Sequence, residues 1–338
     1  MATRLEKLRA RRTDPSELTA KGINEVYARI QQSEAVRYAI GAMQPVENVY
    51  TQNTIEQGGR IIEQLRNRLH QACDYRYQGS VTNNTHIKAR SDLDLLTIIT
   101  RWWSLEPPQR ATDPYHGDPV QDLQLLRDDI ITALKAAYPT ATVKTTGSKS
   151  IPIEGGSLTR KIDVVPANWF DTNLYHQNKQ EVYRGVQILD NSVPTRLRNT
   201  PFFHNALIEI KDGKTGGGMR KAARLMKSLK YDADLVDLDS YDIVSIAYNI
   251  DDSLLFVGPG QDLTIFGNCL VYCEKLQSDA TYRNSIYVPD THRKVFEPGH
   301  ATVEGLNQLT AELAKLSVDI LNENRRSFQK LAEARVIY

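Results

Sequence analysis

Three aspartates and a Gly-Ser pair are the residues whose types and spacing could do chemistry. Asp92 and Asp94 flank Leu93 in the run Asp92–Thr100, which is apolar and β-branched and predicts a buried strand. Residues two apart on a strand project from the same face, so the two carboxylates stand together while Leu93 and Leu95 pack the other way. Carboxylates that close repel one another, and burying both unpaired is costly. A divalent cation removes that cost, and Mg²⁺ favours one or two carboxylates combined with substrate phosphates. A third carboxylate, Asp163, alternates with Ile162 and Val164 in another strand-like stretch. With the pair it could hold two ions about 3.5–4 Å apart, which stabilises both the attacking and leaving oxygens of phosphoryl transfer. Asp163 would then serve the attacking hydroxyl as ligand and proton acceptor. Upstream, Gly79 permits close backbone approach to a phosphate, and Ser80 offers a hydroxyl and an N–H. Taken singly each piece has a plainer reading: Asp-x-Asp as an exposed strand edge, Gly-Ser as a turn, Asp163 as a partner of Arg160. Their order along the chain favours the chemical reading.

The elements that must position these groups fall into two halves. Helical spacing marks Ile23, Val26, Tyr27 and Ile30, after a helix start at Asp14–Glu17, and a second helix is predicted over 54–73. Strands are predicted at 75–78, 92–100, 142–153, 158–166 and 183–189, with a helix over 118–137 and a hairpin turn at Glu154–Ser157. Trp102-Trp103 is read as lobe packing. After about Asn199 the patterns are helical alone, at 202–210, 219–230, 241–249, 263–276 and 302–334. The expectation is an α+β, bilobal protein: residues 1–198 form N-terminal helices and a mixed-sheet lobe, residues 199–338 an all-helical lobe, with a cleft between them.

Composition excludes other classes. The 42 basic against 41 acidic residues leave a net charge of +1, so stable nucleic-acid binding is not expected and phosphate binding requires local clusters. One such cluster is Lys7, Arg9, Arg11 and Arg12, read as a solvated helix face, with RNA or lipid contact as the other reading. Another is Arg220, Arg224 and Lys227, three and four apart and so on one helix face, pointed either to solvent or into the cleft. The three cysteines form no disulfide framework or zinc set. No membrane span or leader is legible, which makes a cytoplasmic protein the expectation. Asp239 or Ser240 is expected to cap the helix that follows, and Asn168 is either a loop residue or a group whose amide reads a base edge. His86 is read as loop structure, with an acceptor-side contact as the other reading.

Gly79-Ser80 followed by Asp92-x-Asp94 and a later strand Asp163 resembles the DNA polymerase β-type nucleotidyltransferases. Within that superfamily, Gly79-Ser80, Thr85, Ile87 and Ser91-Asp92-Leu93-Asp94 resemble the bacterial cGAS/DncV-like nucleotidyltransferases, and Val182–Asp190, Arg224–Lys230 and Ser240-Tyr241-Asp242 agree. The likeness runs from about Val49 to Leu316. It implies a polymerase β-like fold and an Mg²⁺-dependent enzyme using two ions, with Mn²⁺ as an alternative. Its substrates would be nucleoside triphosphates, joined into a cyclic di- or oligonucleotide second messenger for an effector protein in anti-phage, CBASS-type signalling. It further implies that Asp92, Asp94 and Asp163 are catalytic and metal-binding. Gly79, Ser80, Lys227 (Arg224 in reserve) and Ser240 would hold the donor triphosphate, and the Tyr241 ring would stack on a base. RNA tailing or protein nucleotidylation shares this chemistry, and an inactive nucleotide or RNA sensor is the non-enzymatic alternative.

Overall fold

The computed structural model describes residues 2–12, 33–88, 92–233 and 235–336, with side chains as far as 326. The predicted helix start at Asp14–Glu17, the Ile23–Ile30 stripe and Ser91 lie outside the described residues. In chain order the elements are α1 (Arg4–Arg12), α2 (Glu34–Met43), α3 (Asn48–Arg68), β1 (Cys73–Gln78), β2 (Leu93–Leu105), α4 (Pro119–Ala137), β3 (Thr142–Val143), β4 (Ile151–Gly155) and β5 (Leu158–Asp171). There follow α5 (Asn173–Asn178), a 3₁₀ turn (Glu181–Tyr183), β6 (Gly185–Asp190), β7 (Thr195–Asn199), α6 (Pro201–Lys214) and α7 (Gly218–Ala233). The chain ends with α8 (Ser240–Tyr248), α9 (Asp252–Leu255), α10 (Asp262–Ser278), α11 (Ala280–Arg283) and α12 (Val303–Val336).

Two compact units divide the chain. A sheet unit comprises Val46–Asn84 and Ser91–Leu207; a helical unit comprises Met1–Pro45, Thr85–Arg90 and Ile208–Tyr338. The expected boundary at 198/199 differs from this division, chiefly because the first helices belong with the C-terminal ones. α1 and α2 bury Leu5, Leu8, Val36, Tyr38, Ala39 and Met43 in the core of the helical unit, against Met219, Leu225 and Met226 of α7.

In the sheet unit β5 is the spine. It runs parallel to β2 on one side; on the other its first half pairs antiparallel with β4 and its second half with β6. β1 lies outside β2, β3 outside β4 and β7 outside β6. Alternation splits the spine: Ile162 and Val164 join Leu93, Leu95 and the α3 and α4 side chains Ile61, Leu65, Leu126 and Ile130. Val165, Ala167 and Trp169 face the other way with Leu96, Ile98 and Val186. Burial on both faces explains why β2 reads as nearly continuous apolar sequence; each fully buried Leu or Ile there contributes about 1.5–3 kcal/mol. α4 starts on Pro119, with the Asp118 carboxylate accepting hydrogen bonds from Val120 N and Gln121 N. At the tip of the β4–β5 hairpin, Gly155 and Gly156 take positive φ of 82° and 61°, which favours glycine.

The structure corrects several expected boundaries. The strand expected over 142–153 is two short strands, because the buried Arg127 guanidinium gathers the carbonyls of Thr145, Gly147 and Ser150 and draws residues 145–150 out of the ladder. β2 continues past Thr100 through Trp102-Trp103, and β7 was not expected. In the helical unit, Arg11 and Arg12 are buried rather than solvated: Arg11 pairs with Asp232 at 3.0 Å, and Arg12 donates to Gly41 O and Gln44 O. Tyr38 Oη also donates to Asp232, at 2.9 Å. This network ties α1 and α2 to the end of α7. Helices are the only regular elements after Asn199 among the described residues, apart from an isolated bridge between Tyr287 and Lys294.

Candidate active site

The sheet brings the three aspartates to one face. Asp94 of β2 lies directly opposite Asp163 of β5 in the parallel register, and Asp92, two residues earlier, projects from the same side. Asp94 also pairs across the strands with Gln78, the last residue of β1. The chain then turns at Gly79, whose φ of 82° favours glycine, and a Cβ there would stand 2.2 Å from Asp94 Oδ2. Gly79 is thus required twice, by its backbone conformation and by the carboxylate pressed against it. Thr82 Oγ1 donates to Gly79 O at 2.7 Å, and Asn205 Nδ2 donates to Thr82 Oγ1 at 2.9 Å. Asn83 Nδ2 in turn donates to Asn205 Oδ1 at 3.2 Å. Asn205, at the start of α6, therefore braces the Gly79-Ser80 turn; nothing in the sequence signals that role.

Lys161, which no sequence pattern marks, shares this face two residues before Asp163. Its ammonium lies 2.6 Å from Asp92 Oδ2, and 3.3 and 3.4 Å from the two oxygens of Asp163. Burial raises the Asp163 pKa above the ordinary carboxylate range; Lys161 opposes that rise and Asp92 adds to it. Burial also works against the charge on Lys161, yet the two carboxylates carry its pKa above the usual value. Asp163 Oδ1 is shut off from solvent and accepts no well-aligned hydrogen bond, the Lys161 ammonium being its near neighbour. Among the described residues, no three His, Cys, Asp or Glu side chains gather at metal-binding distance. The aspartates share a face without converging, and an ammonium bridges two of them. The donors are carboxylate oxygens alone, which suits a hard cation such as Mg²⁺ or Mn²⁺ and does not suit Zn²⁺.

The helical unit holds the other expected residues. Lys227 of α7 is buried, and its Nζ donates to Thr85 O at 2.9 Å, in the segment between Gly79-Ser80 and Asp92. His86 in that segment is buried, in line with its reading as loop structure. Arg224 is corrected: it is buried in the helix packing, its Nε donates to Met43 O at 2.7 Å, and burial lowers its pKa to about 10. Arg220 pairs with Asp212 at 3.0 Å and with Glu209. The face read as a stripe of cations is thus largely spent on internal partners. Ser240 opens α8, where the Asp239 side chain makes no capping hydrogen bond. The Tyr241 ring packs on the core, with the Arg293 guanidinium 5.1 Å from its centre. Arg293 also pairs with the buried Asp242 at 2.5 Å, a contact invisible from the sequence because the two residues are far apart along it.

Asn168 does not join the carboxylates. It lies five positions after Asp163, an odd offset, so it points from the opposite face of β5, and it is fully buried. Its Nδ2 donates to Trp169 O at 2.8 Å and to Gln187 Oε1 at 3.2 Å, and Arg196 donates to the same Gln187 oxygen at 2.7 Å. Its amide serves the strands and not a base edge.

No family model matches the chain. Among characterised proteins it is 37% identical over 294 residues to the cyclic dinucleotide synthase CdnE of Yersinia aleksiciae, spanning 86% of this chain and 77% of that one. It is 29% identical over 324 residues to a c-di-GMP synthase of Capnocytophaga granulosa, spanning 88% of this chain and 90% of that one. The structure of the STING-associated CdnE c-di-GMP synthase from Capnocytophaga granulosa superposes with a TM-score of 0.76 at 27% identity, covering 96% and 98% of the two chains. That of the Rhodothermus marinus CdnE c-UMP-AMP synthase with Apcpp and Upnpp gives 0.64 at 17% identity, covering 82% and 94%, a likeness of fold. The identity to CdnE extends over most of the chain, and the chain therefore belongs to the cGAS/DncV-like nucleotidyltransferases, enzymes that join nucleoside triphosphates into cyclic nucleotides.

Proposed function

We propose that this enzyme makes a cyclic dinucleotide from two nucleoside triphosphates with Mg²⁺, as a signal read by an effector protein in anti-phage, CBASS-type defence. The observation that carries the reading is the in-register pair Asp94–Asp163, with Asp92 on the same face and Gly79 pressed against Asp94. Asp92, Asp94 and Asp163 would hold the metal, which supplies charge neutralisation at the reacting phosphate. Asp163 accepts the proton of the attacking 2′- or 3′-hydroxyl. The backbone at Gly79 and the Ser80 hydroxyl hold donor phosphate oxygens, and Lys227 and Ser240 add an ammonium and a hydroxyl to the triphosphate. The Tyr241 ring stacks on a base, a sequence-tolerant contact because every base has a π-face. Pyrophosphate leaves in each of two rounds, the second closing the ring.

A dinucleotide is favoured because the relatives named above are dinucleotide synthases by name. Purified protein, Mg²⁺ and pairwise NTP mixtures without any polymer should give a small cyclic product by mass spectrometry, and D92N/D94N should give none while keeping its circular dichroism. A requirement for an RNA or protein acceptor would replace this reading with tailing or protein nucleotidylation. Product from the double variant would refute the assignment of the carboxylates.

A further inference from the structure

Lys161 lies on the carboxylate face, its Nζ 2.6 Å from Asp92 and within 3.4 Å of both Asp163 oxygens. Its side chain is 30% exposed, between Asp92 at 40% and Asp163 at 16%. Lys144, another cation whose charge reaches Asp163, is held at 2.6 Å by Glu154. Two carboxylates on neighbouring strands repel, and their repulsion grows as water is excluded. An ammonium bridging them removes that repulsion, and its four-carbon stem lets it depart without moving either strand.

A divalent cation makes a competing claim on the same oxygens. Mg²⁺ bonds oxygen at about 2.0–2.1 Å, and an ammonium cannot keep hydrogen bonds to those lone pairs while the ion takes them. We propose that Lys161 is a resident counter-ion: it holds Asp92 and Asp163 in place before the metal binds, and is displaced from them as the metal binds, so that metal affinity is set partly by this exchange. The inference rests on reading Asp92 and Asp163 as metal ligands. Lys161 is thus a positioning residue, acting through the carboxylates.

Mn²⁺ binding without nucleotide tests this, with free Mn²⁺ read by electron paramagnetic resonance for wild type, K161M and K161R. K161M should bind Mn²⁺ about tenfold tighter or more, since a cation is removed from beside the ligand oxygens. In EDTA it should melt several degrees below wild type and regain that loss with Mn²⁺. K161R, which keeps the charge, should behave as wild type. Equal or weaker Mn²⁺ binding by K161M, or an unchanged melting point in EDTA, overturns the inference. Wild type that binds no Mn²⁺, or a D92N/D94N variant that binds it as wild type does, overturns instead the reading beneath it. If K161M does not fold, wild type still decides: Lys161 acetylation by limiting acetic anhydride, mapped by peptide mass spectrometry, should rise when Mn²⁺ is added. Unchanged acetylation overturns the proposal.

Discussion

Replacing Gly79 with alanine separates two demands on one residue, because the structure supplies a matched control. Gly79 and Gly155 share a φ of 82°; a Cβ at Gly155 meets nothing within 4 Å, whereas one at Gly79 stands 2.2 Å from Asp94 Oδ2. Both alanine variants carry the strain of a left-handed residue, about 1–2 kcal/mol. Ordinary contact begins at 3.4 Å, so in G79A the Asp94 carboxylate must also retreat by about 1 Å. A displacement of that size at a reacting centre costs about 100-fold in rate. In urea unfolding G155A and G79A should therefore lose similar stability. In NTP turnover followed by pyrophosphate release, G155A should stay within about twofold of wild type and G79A should fall about 100-fold, the factor expected for such a displacement. Equal activity of the two variants would refute the argument that Gly79 is required by Asp94.

Three other outcomes follow from particular contacts. Arg127→Met leaves the carbonyls of Thr145, Gly147 and Ser150 without their buried donor and should lower stability by about 2–4 kcal/mol in urea unfolding. Burial raises the pKa of Asp242 above 3.8, and Arg293 opposes the rise. A carboxyl with a raised folded-state pKa binds its proton more tightly when folded, so its contribution to stability falls as pH climbs from 3.8 through the raised value. Arg293→Met lifts that pKa further, so its deficit against wild type should widen between pH 4.5 and 7.5 in urea unfolding at both pH values, a gap of about 3 kcal/mol or more at neutral pH. Tyr241→Leu should raise the KM for NTP by about tenfold or more, the loss of one base–aromatic stack, while Tyr241→Phe keeps the ring and should change it by less than about threefold.

The sequence by itself determined most of the strands and helices that follow Thr54, and the common face of Asp92 and Asp94. Asp92 and Asp94 share a face because strand geometry alone requires it, and the apolar runs of β2 and β5 announce strands buried on both sides. The C-terminal helices were legible for the same reason: periodicity is local, and so readable within one turn of chain. Contacts between distant segments were not. That Asp163 pairs with Asp94 rather than a neighbour one residue away is a matter of register, fixed by which side chains of β5 fill the core. Lys161 between Asp92 and Asp163, Arg293 on Asp242, Asn205 beneath the Gly79 turn, and Arg11 with Tyr38 on Asp232 join residues that share no local pattern. Arg224 and Asn168 show the converse. A cation at helical spacing and an amide five positions after a strand aspartate carry no mark of which way they point. Only tertiary packing, which buries one against a backbone carbonyl and the other in the opposite face of the sheet, decides that they serve the fold.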